Sequence, residues 1–282
     1  MNIETTSETT SQLNEQNTGE QIFKILNLSV PVLMAIFIFF NPFPHTTAIK
    51  ELCFYSSFFI VLLLMYFKKI DFSLKSPLTL PFALFVIWAF IGLFFALDKE
   101  NSIHDFYAHL LKYLAIYYML INFFNTPKRL VILSWIVIIS TTVFSIGAMV
   151  YFYLILNHPL STRLGTVFLE IHVDLIGFAT LFAMILSLYN FHKVKSLYHK
   201  SLLVGAFTVT SLATLLTQSR ATILAVIFAF IVLFLRNKKT VMVFALILVI
   251  GAGIIPGLKK RLDLDSFLHN IRIGIWLSLI HI

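Results

Sequence analysis

The sequence predicts an all-α fold: a polytopic bundle of transmembrane helices with about nine spans. Hydrophobic residues make up 59% of the 282 residues and charged residues only 12%, whereas soluble domains are about 25% charged. The mean hydropathy is +0.91. The apolar runs are long rather than short and alternating, which argues against a β-barrel. Because one span needs roughly 20 apolar residues, the chain is long enough for about nine.

The amino-terminal part predicts a tail and two spans. Residues 1–20 are rich in Thr, Ser, Asn, Gln and Glu, a composition that cannot bury a core and predicts a disordered tail. The helical bundle is then expected over residues 21–258. Its first span is expected at 22–40 and contains Pro31, and the second is expected at 52–67.

The middle of the chain predicts three more spans. The third is expected at 78–97, and residues 98–105 follow as a short charged loop. The fourth is expected at 106–124. The fifth, at 130–156, is long enough to tilt or to project beyond the bilayer.

The last four spans are expected at 175–191, 201–216, 221–235 and 241–258. Residues 157–174 form a loop before the sixth span, and residues 192–200 form a basic loop after it. Residues 259–282 are expected to begin a large external loop that is truncated.

The basic residues predict the orientation. Loops after even-numbered spans carry Lys68, Lys69, Lys75, Lys128, Arg129, Lys193, Lys195, Lys200, Arg236, Lys238 and Lys239. Loops after odd-numbered spans, up to the eighth, carry only Lys50, Lys99, Arg163 and Arg220. Loops rich in Lys and Arg tend to lie in the cytoplasm, so the amino terminus is predicted to be cytoplasmic. The same loops account for the net charge of +8, which therefore does not indicate a nucleic-acid partner.

One basic cluster departs from this rule. The external end of the ninth span carries Lys259, Lys260 and Arg261, followed by Arg272. A cluster on the unfavourable side of the membrane is a candidate for function. The alternative is that one span has been miscounted.

A polar knot, Thr217-Gln218-Ser219-Arg220, separates the seventh and eighth apolar runs. It is too short for a loop, and predicts either a tight turn at one membrane face or a break at the membrane edge. Arg220 could be a flanking residue that snorkels to the interface. Alternatively, its planar fork of donors could bind a phosphate there.

External arginines and lysines near the bilayer surface suit an anionic substrate held at the membrane, such as a lipid diphosphate that carries a sugar. Such groups would neutralise the charge that develops as the diphosphate leaves. This chemistry needs neither a metal nor another cofactor. The two histidine–acid clusters are weak evidence for metal ligands, since solvated loop residues are more common; they are Glu170, His172 and Asp174, and His104, Asp105 and His109.

Three segments resemble the O-antigen ligase and polymerase family of bacterial membrane proteins. The run LTQSRAT around Arg220 resembles the best-marked motif of this family. Arg163-Leu164-Gly165 resembles its external arginine-containing loop, and Arg272-Ile273-Gly274-Ile275-Trp276 resembles the element that opens its large external loop. The resemblance extends from about the third span to the end, and implies a membrane fold similar to the GT-C type of glycosyltransferase.

The resemblance implies a metal-independent, inverting glycosyltransferase in the bacterial inner membrane. Its donor would be a glycan on undecaprenyl diphosphate, and its acceptor lipid A-core or a growing polysaccharide. Arg220 and Arg272 would bind the diphosphate. Further candidates are Arg163, Gln218, Lys259, Lys260 and Arg261.

The end of the chain departs from the family pattern. The family's proposed catalytic histidine lies later in the large external loop, and neither His269 nor His281 can be matched to it. Residues 277–282 read as the translation of a common sequencing-library adapter. We therefore expect the natural sequence to diverge after Trp276, and the given chain to be an inactive fragment.

Two other classes stay open. A transporter of lipid-linked glycans would more often show internal repeats and paired broken helices at mid-membrane, and no clear repeat is present. A non-catalytic membrane subunit would need no external basic cluster. The sequence also does not distinguish a ligase from a polymerase.

Overall fold

A computed structural model of the protein describes residues 4–165, 173–236 and 238–255, and within these residues all regular structure is helical. The predicted all-α class is therefore confirmed. The α-helices are α1 (Glu4–Phe40), α2 (Thr47–Tyr66), α3 (Thr79–Phe94), α4 (Lys99–Asp105), α5 (Lys112–Phe123), α6 (Pro127–Met149), α7 (Val173–Lys193), α8 (Leu197–Thr217), α9 (Arg220–Arg236) and α10 (Lys238–Ile254). Two π-helical segments, Phe106–Leu111 and Val150–Ile155, continue α4 and α6.

Five helical stretches in the described part of the chain are long and apolar enough to cross a membrane. They are Glu20–Phe40, Thr47–Tyr66, Pro127–Ile155, Val173–Lys193 and Leu197–Thr217. They match the first, second, fifth, sixth and seventh predicted spans. The stretch over Pro127–Ile155 has 29 residues, or about 43 Å of helix against a hydrocarbon core of about 30 Å. This excess length fits the expectation that the fifth span tilts or projects.

The other four predicted spans are shorter or interrupted. Helix α3 has 16 residues, and α9 and α10 have 17 each, at or just below the lower limit of about 17 for a span. The fourth predicted span is divided between the π-helical segment Phe106–Leu111 and α5. Within the described residues, the structure thus supports a membrane protein with several spans and does not confirm the count of nine.

Two segments differ from the predictions. Helix α1 begins at Glu4, so a helix lies where the composition of residues 1–20 predicted disorder. The predicted charged loop 98–105 is largely helical, because Asp98 caps α4: its Oδ1 accepts a hydrogen bond from the Asn101 N–H at 3.1 Å.

The chain divides into two compact units. The first comprises residues 1–37 and 47–133. In it, α1 packs on α2 around the buried residues Met34 and Ser57, whose Sδ and Oγ atoms are 3.4 Å apart. An ion pair joins Lys112 of α5 to Glu51 of α2.

Helix α3 in this first unit has no buried residue, although it is made almost entirely of apolar residues. Large side chains such as Trp88 and Phe94 are 75% and 67% exposed. A contiguous apolar surface of this kind on a helix is expected to contact lipid.

The second unit comprises residues 38–46 and 134–282, described here up to Ile255. Helices α7 and α8 pack along their lengths, α9 contacts both of them, and α10 contacts α8 and α9. One apolar cluster joins all four helices around Met184, Phe207, Phe230 and Phe244. A second apolar cluster, which includes Leu164, Ile176, Leu215 and Leu216, lies at the end of the unit where α8 stops and α9 starts.

Candidate functional site

The polar knot forms a tight reversal between α8 and α9. Helix α8 ends at Thr217 and α9 begins at Arg220. Gln218 between them adopts a left-handed conformation with φ 49°, and its N–H bonds the Leu215 carbonyl at 3.0 Å, as helix ends often require. Phe207 and Phe230, ten residues before and after the knot, have ring centroids 6.1 Å apart. Because these rings meet, α9 runs back along α8, as expected for a tight turn.

Ser219 caps the start of α9. Its Oγ accepts hydrogen bonds from the N–H and the hydroxyl of Thr222 at 3.3 and 3.1 Å. Its carbonyl accepts the first bond of the helix, from the Ile223 N–H at 3.0 Å. Serine is a preferred residue at this position because its side chain replaces one missing helical acceptor.

Asp174 connects α7 to this cap. It lies in the first turn of α7, and its Oδ1 accepts a hydrogen bond from the Ser219 hydroxyl at 2.5 Å. Both Ser219 and Thr222 are buried. Since a carboxylate is stabilised at a helix amino terminus, Asp174 is held by its own helix while it orients Ser219.

The loop before α7 lies against the knot through three hydrogen bonds. Arg163 Nε donates to the Thr217 carbonyl at 3.0 Å, and Gln218 Nε2 donates to the Ser161 carbonyl at 3.1 Å. Between them, the Leu164 N–H donates to the Leu216 carbonyl at 3.0 Å. These bonds join positions more than 50 residues apart in the sequence.

A column of buried hydroxyls leads from the knot between α7 and α8. Thr217 donates to the Thr214 carbonyl at 2.6 Å, and the Thr214 hydroxyl donates to Thr180 Oγ1 at 2.6 Å. All three residues are fully buried. Short hydroxyl side chains of this kind bridge helices in membranes and let them approach closely.

Helix α9 approaches α7 closely beside the site. A Cβ atom added to Gly177 would lie only 2.2 Å from Thr222 Oγ1. This contact is compatible only with glycine as long as Thr222 keeps its position. Gly177 therefore fixes the distance between the helix that carries Asp174 and the helix that carries Arg220.

The structure brings together three of the predicted site residues. Arg163 and Arg220 are half-buried at the knot, and Gln218 is 2% exposed. The remaining predicted residues, Lys259, Lys260, Arg261 and Arg272, lie outside the described residues, as do Glu170 and His172. Their assignment to a diphosphate site stays a prediction.

The sequence pattern did not identify two residues of the site, Ser219 and Asp174. The pattern Ser219-Arg-Ala-Thr222 is a helix start signal that could have identified Ser219 as a cap. Asp174 was considered only as a weak metal ligand. No signal in the sequence pairs it with Ser219, because the two are 45 residues apart.

Comparisons with known proteins give no family assignment: no protein family, curated protein or solved structure matches this chain. What the sequence and fold define is an all-helical protein with several helices able to span a membrane. In its second unit, a tight helix reversal gathers arginine, glutamine, serine and aspartate.

Proposed function

We propose that this chain belongs to a membrane glycosyltransferase of the O-antigen ligase or polymerase type, and that Arg220 binds the diphosphate of its lipid-linked donor. One observation carries the proposal: Arg220 is the first residue of α9, and Arg163 is hydrogen-bonded to Thr217, the last residue of α8. Two arginines therefore lie at one helix reversal.

The first reason is electrostatic. A helix amino terminus carries roughly half a positive charge and a set of N–H groups without intrahelical partners. An arginine there adds a full positive charge and a planar fork of donors. Together they favour a phosphate or diphosphate, which is the kind of anion that helix amino termini commonly bind.

The second reason concerns the second arginine. Arg163 uses Nε to bond the carbonyl of Thr217, the last residue of α8. This bond holds the guanidinium group of Arg163 at Thr217, which precedes Arg220 by three residues. Two guanidinium groups at one helix reversal suit a ligand with two phosphates better than a ligand with one.

The third reason concerns the membrane. Helices α7 and α8 each have 21 residues and qualify as spans, so the knot at their shared end lies near one face of the bilayer. A polyprenyl diphosphate places its charged group at that depth and its chain among the lipids. From the resemblance of LTQSRAT to the ligase family, we infer that the lipid carries a sugar and that the acceptor is lipid A-core or a polysaccharide.

The proposal extends to location. We infer a bacterial inner-membrane protein with a cytoplasmic amino terminus, about nine spans and a bundle similar to the GT-C type. The support is the charge distribution of the loops, in which the basic loop 192–200 and the knot lie at opposite ends of α8. Cysteine labelling at positions 220 and 272 tests the arrangement, and we expect both positions to react from the outside.

The binding test uses the whole chain in lipid nanodiscs with undecaprenyl diphosphate as the probe. Replacing Arg220 by Gln is expected to weaken binding about 10- to 100-fold, since a hydrogen bond to a charged group contributes about 1.5–3 kcal/mol. Arg163→Gln is expected to act in the same direction. Wild-type affinity in Arg220→Gln would contradict the proposal.

Arg129 provides a matched control. Like Arg163, it donates to a backbone carbonyl, from Nη1 to Phe123 at 2.8 Å, but it belongs to the first unit. Arg129→Gln is expected to bind the diphosphate lipid as the wild type does. An equal loss in Arg129→Gln would indicate a general effect of surface charge rather than a site.

Transfer itself is tested in membranes that contain the protein, an acceptor and a glycan on undecaprenyl diphosphate. Arg220→Ala and Arg272→Ala are expected to abolish glycan transfer while the protein remains in the membrane. If the protein moves lipid-linked glycans across vesicle membranes without transferring them, the transporter alternative is correct.

A further inference from the structure

A second cluster of chemically active side chains lies in the first unit, outside the site described above. His104, Asp105 and His109 each offer a ligand atom, and these atoms all lie within 4.8 Å of one another. Among the described residues, no other group of three histidine, cysteine or acidic side chains meets this condition.

A π-helical segment brings the two histidines together. In a regular α-helix, residues five apart diverge by about 140° around the axis. His104 and His109 are five residues apart, but the π-helical segment begins at Phe106, between them. Its i→i+5 hydrogen bonds turn residues five apart towards the same face. The imidazole centroids are consequently only 6.2 Å apart.

The distances within the cluster fit a metal better than a hydrogen-bond network. Asp105 Oδ1 lies 3.8 Å from His104 Nδ1 and 3.6 Å from His109 Nε2, both longer than a hydrogen bond. Zinc–nitrogen bonds of about 2.0–2.1 Å place neighbouring ligands of a tetrahedral ion about 3.3 Å apart. Small side-chain rotations would therefore allow all three atoms to bind one ion.

The surroundings leave room for an ion and a further ligand. The three side chains are exposed, with 57–60% of each accessible. His104 also lines an open cleft of about 840 Å³ together with Tyr107 and Asn101. Ring contacts hold both histidines, His104 against Tyr107 and His109 stacked on Tyr113, so their orientation is partly fixed in advance.

We propose that His104, Asp105 and His109 form a binding site for a divalent transition metal, with Zn²⁺ as the ion that suits them best. Two imidazoles and one carboxylate are ligands that zinc accepts, whereas Mg²⁺ and Ca²⁺ prefer sites made of oxygen atoms alone. Three protein ligands leave the fourth tetrahedral position for water or another ligand, as in zinc sites that are not closed. The ion would also join α4 to the π-helical segment.

The test is equilibrium dialysis of the whole chain in detergent against Zn²⁺, with metal content measured by mass spectrometry. The protein is purified through a tag without histidine. We expect one Zn²⁺ per chain at saturation, and at least about a tenfold loss of affinity in His104→Ala and in His109→Ala. A tenfold excess of Mg²⁺ is expected not to displace the zinc.

The control variant is His45→Asn. His45 is exposed, lies outside the cluster and has φ 59°, a conformation that asparagine tolerates. This variant is expected to bind zinc as the wild type does. Unchanged binding in both His104→Ala and His109→Ala, or no stoichiometric binding to the wild type, would overturn the proposal.

A second measurement on the wild-type chain avoids any dependence on how the variants fold. Diethyl pyrocarbonate modifies accessible histidines, and peptide mass spectrometry reads each position. Zn²⁺ is expected to protect His104 and His109 but not His45. If zinc protects none of these positions, or all of them equally, the proposed site is wrong, while the diphosphate proposal at Arg220 is unaffected.

Discussion

Replacing Gly177 by alanine should disrupt the candidate site by displacing Thr222, which is bonded to the cap residue Ser219. An added Cβ would lie 2.2 Å from Thr222 Oγ1, 2.7 Å from Cγ2 and 2.9 Å from Cβ. Ordinary contact begins at 3.4 Å, so the nearest atom would have to move by about 1.2 Å. Because Thr222 is fully buried and bonded to Ser219, the displacement would reach the cap of α9.

The expected loss of stability combines three effects. Overpacking of this kind costs about 1–3 kcal/mol, and a disturbed helix cap adds about 1 kcal/mol. The alanine itself favours the helix by up to about 1 kcal/mol. Because the gain in helix propensity offsets the damage to the cap, overpacking dominates, and Gly177→Ala is expected to destabilise the folded chain by about 1–3 kcal/mol.

The assay is unfolding in mixed micelles as the fraction of dodecyl sulfate rises, and Gly205→Ala is the matched control. Gly205 lies in α8 of the same unit, and a Cβ added there would meet nothing within 4 Å. Gly205→Ala is expected to be neutral or to stabilise slightly. Gly177→Ala is also expected to weaken binding of undecaprenyl diphosphate, and Gly205→Ala is not.

A double variant separates the close contact from other effects of the new methyl group. Thr222→Ala removes Oγ1 and Cγ2, the two nearest atoms, and leaves only the contact at 2.9 Å. The two substitutions together should therefore cost less than the sum of the single ones, by about 1 kcal/mol. Equal stability of Gly177→Ala and Gly205→Ala would refute the close packing of α7 on α9.

Three further predictions concern the knot and its surroundings. Gln218→Gly should keep the fold, because glycine accepts the left-handed conformation, whereas Gln218→Ile should lower the unfolding free energy by about 1–2 kcal/mol in the same micelle assay. Ser219→Ala should cost about 1 kcal/mol through the lost cap, and the cost should shrink when Asp174 is already replaced by Asn, which a double-mutant cycle measures. Thr214→Val should cost about 1 kcal/mol by removing the buried hydrogen bond to Thr180; no change in stability would contradict that bond.

The sequence predicted the helices better than their ends. Hydropathy identifies the five long stretches because a span needs a continuous apolar run. It does not detect caps, which act through one hydrogen bond. Asp98 starts a helix inside a segment that charge alone marked as a loop.

The site was predicted in part because its residues come from separate segments. Arg220 and Gln218 are adjacent to the same helix break, which the sequence marks directly. The hydrogen bond from Arg163 to Thr217 joins two residues that are 54 positions apart. It depends on how the loop before α7 folds back onto α8, which no local sequence pattern encodes. Gly177 gave no signal either, because its importance comes from a neighbour on α9.

The charges at the three helix ends explain why Arg220 is the strongest candidate for binding. Asp174 lies at the amino terminus of α7, and Arg163 bonds the carboxyl-terminal residue of α8, so each carries the charge that its helix end favours. Arg220 is the exception, since a positive charge at the amino terminus of α9 is unfavourable by about 0.3–1 kcal/mol. Helix stability therefore accounts for the first two residues, whereas the charge of Arg220 is offset by the Asp174 carboxylate, which accepts a hydrogen bond from the Ser219 cap of the same helix. A bound diphosphate would add to the charge of Asp174 there, because it would be attracted by the helix end and by the guanidinium group at the same time.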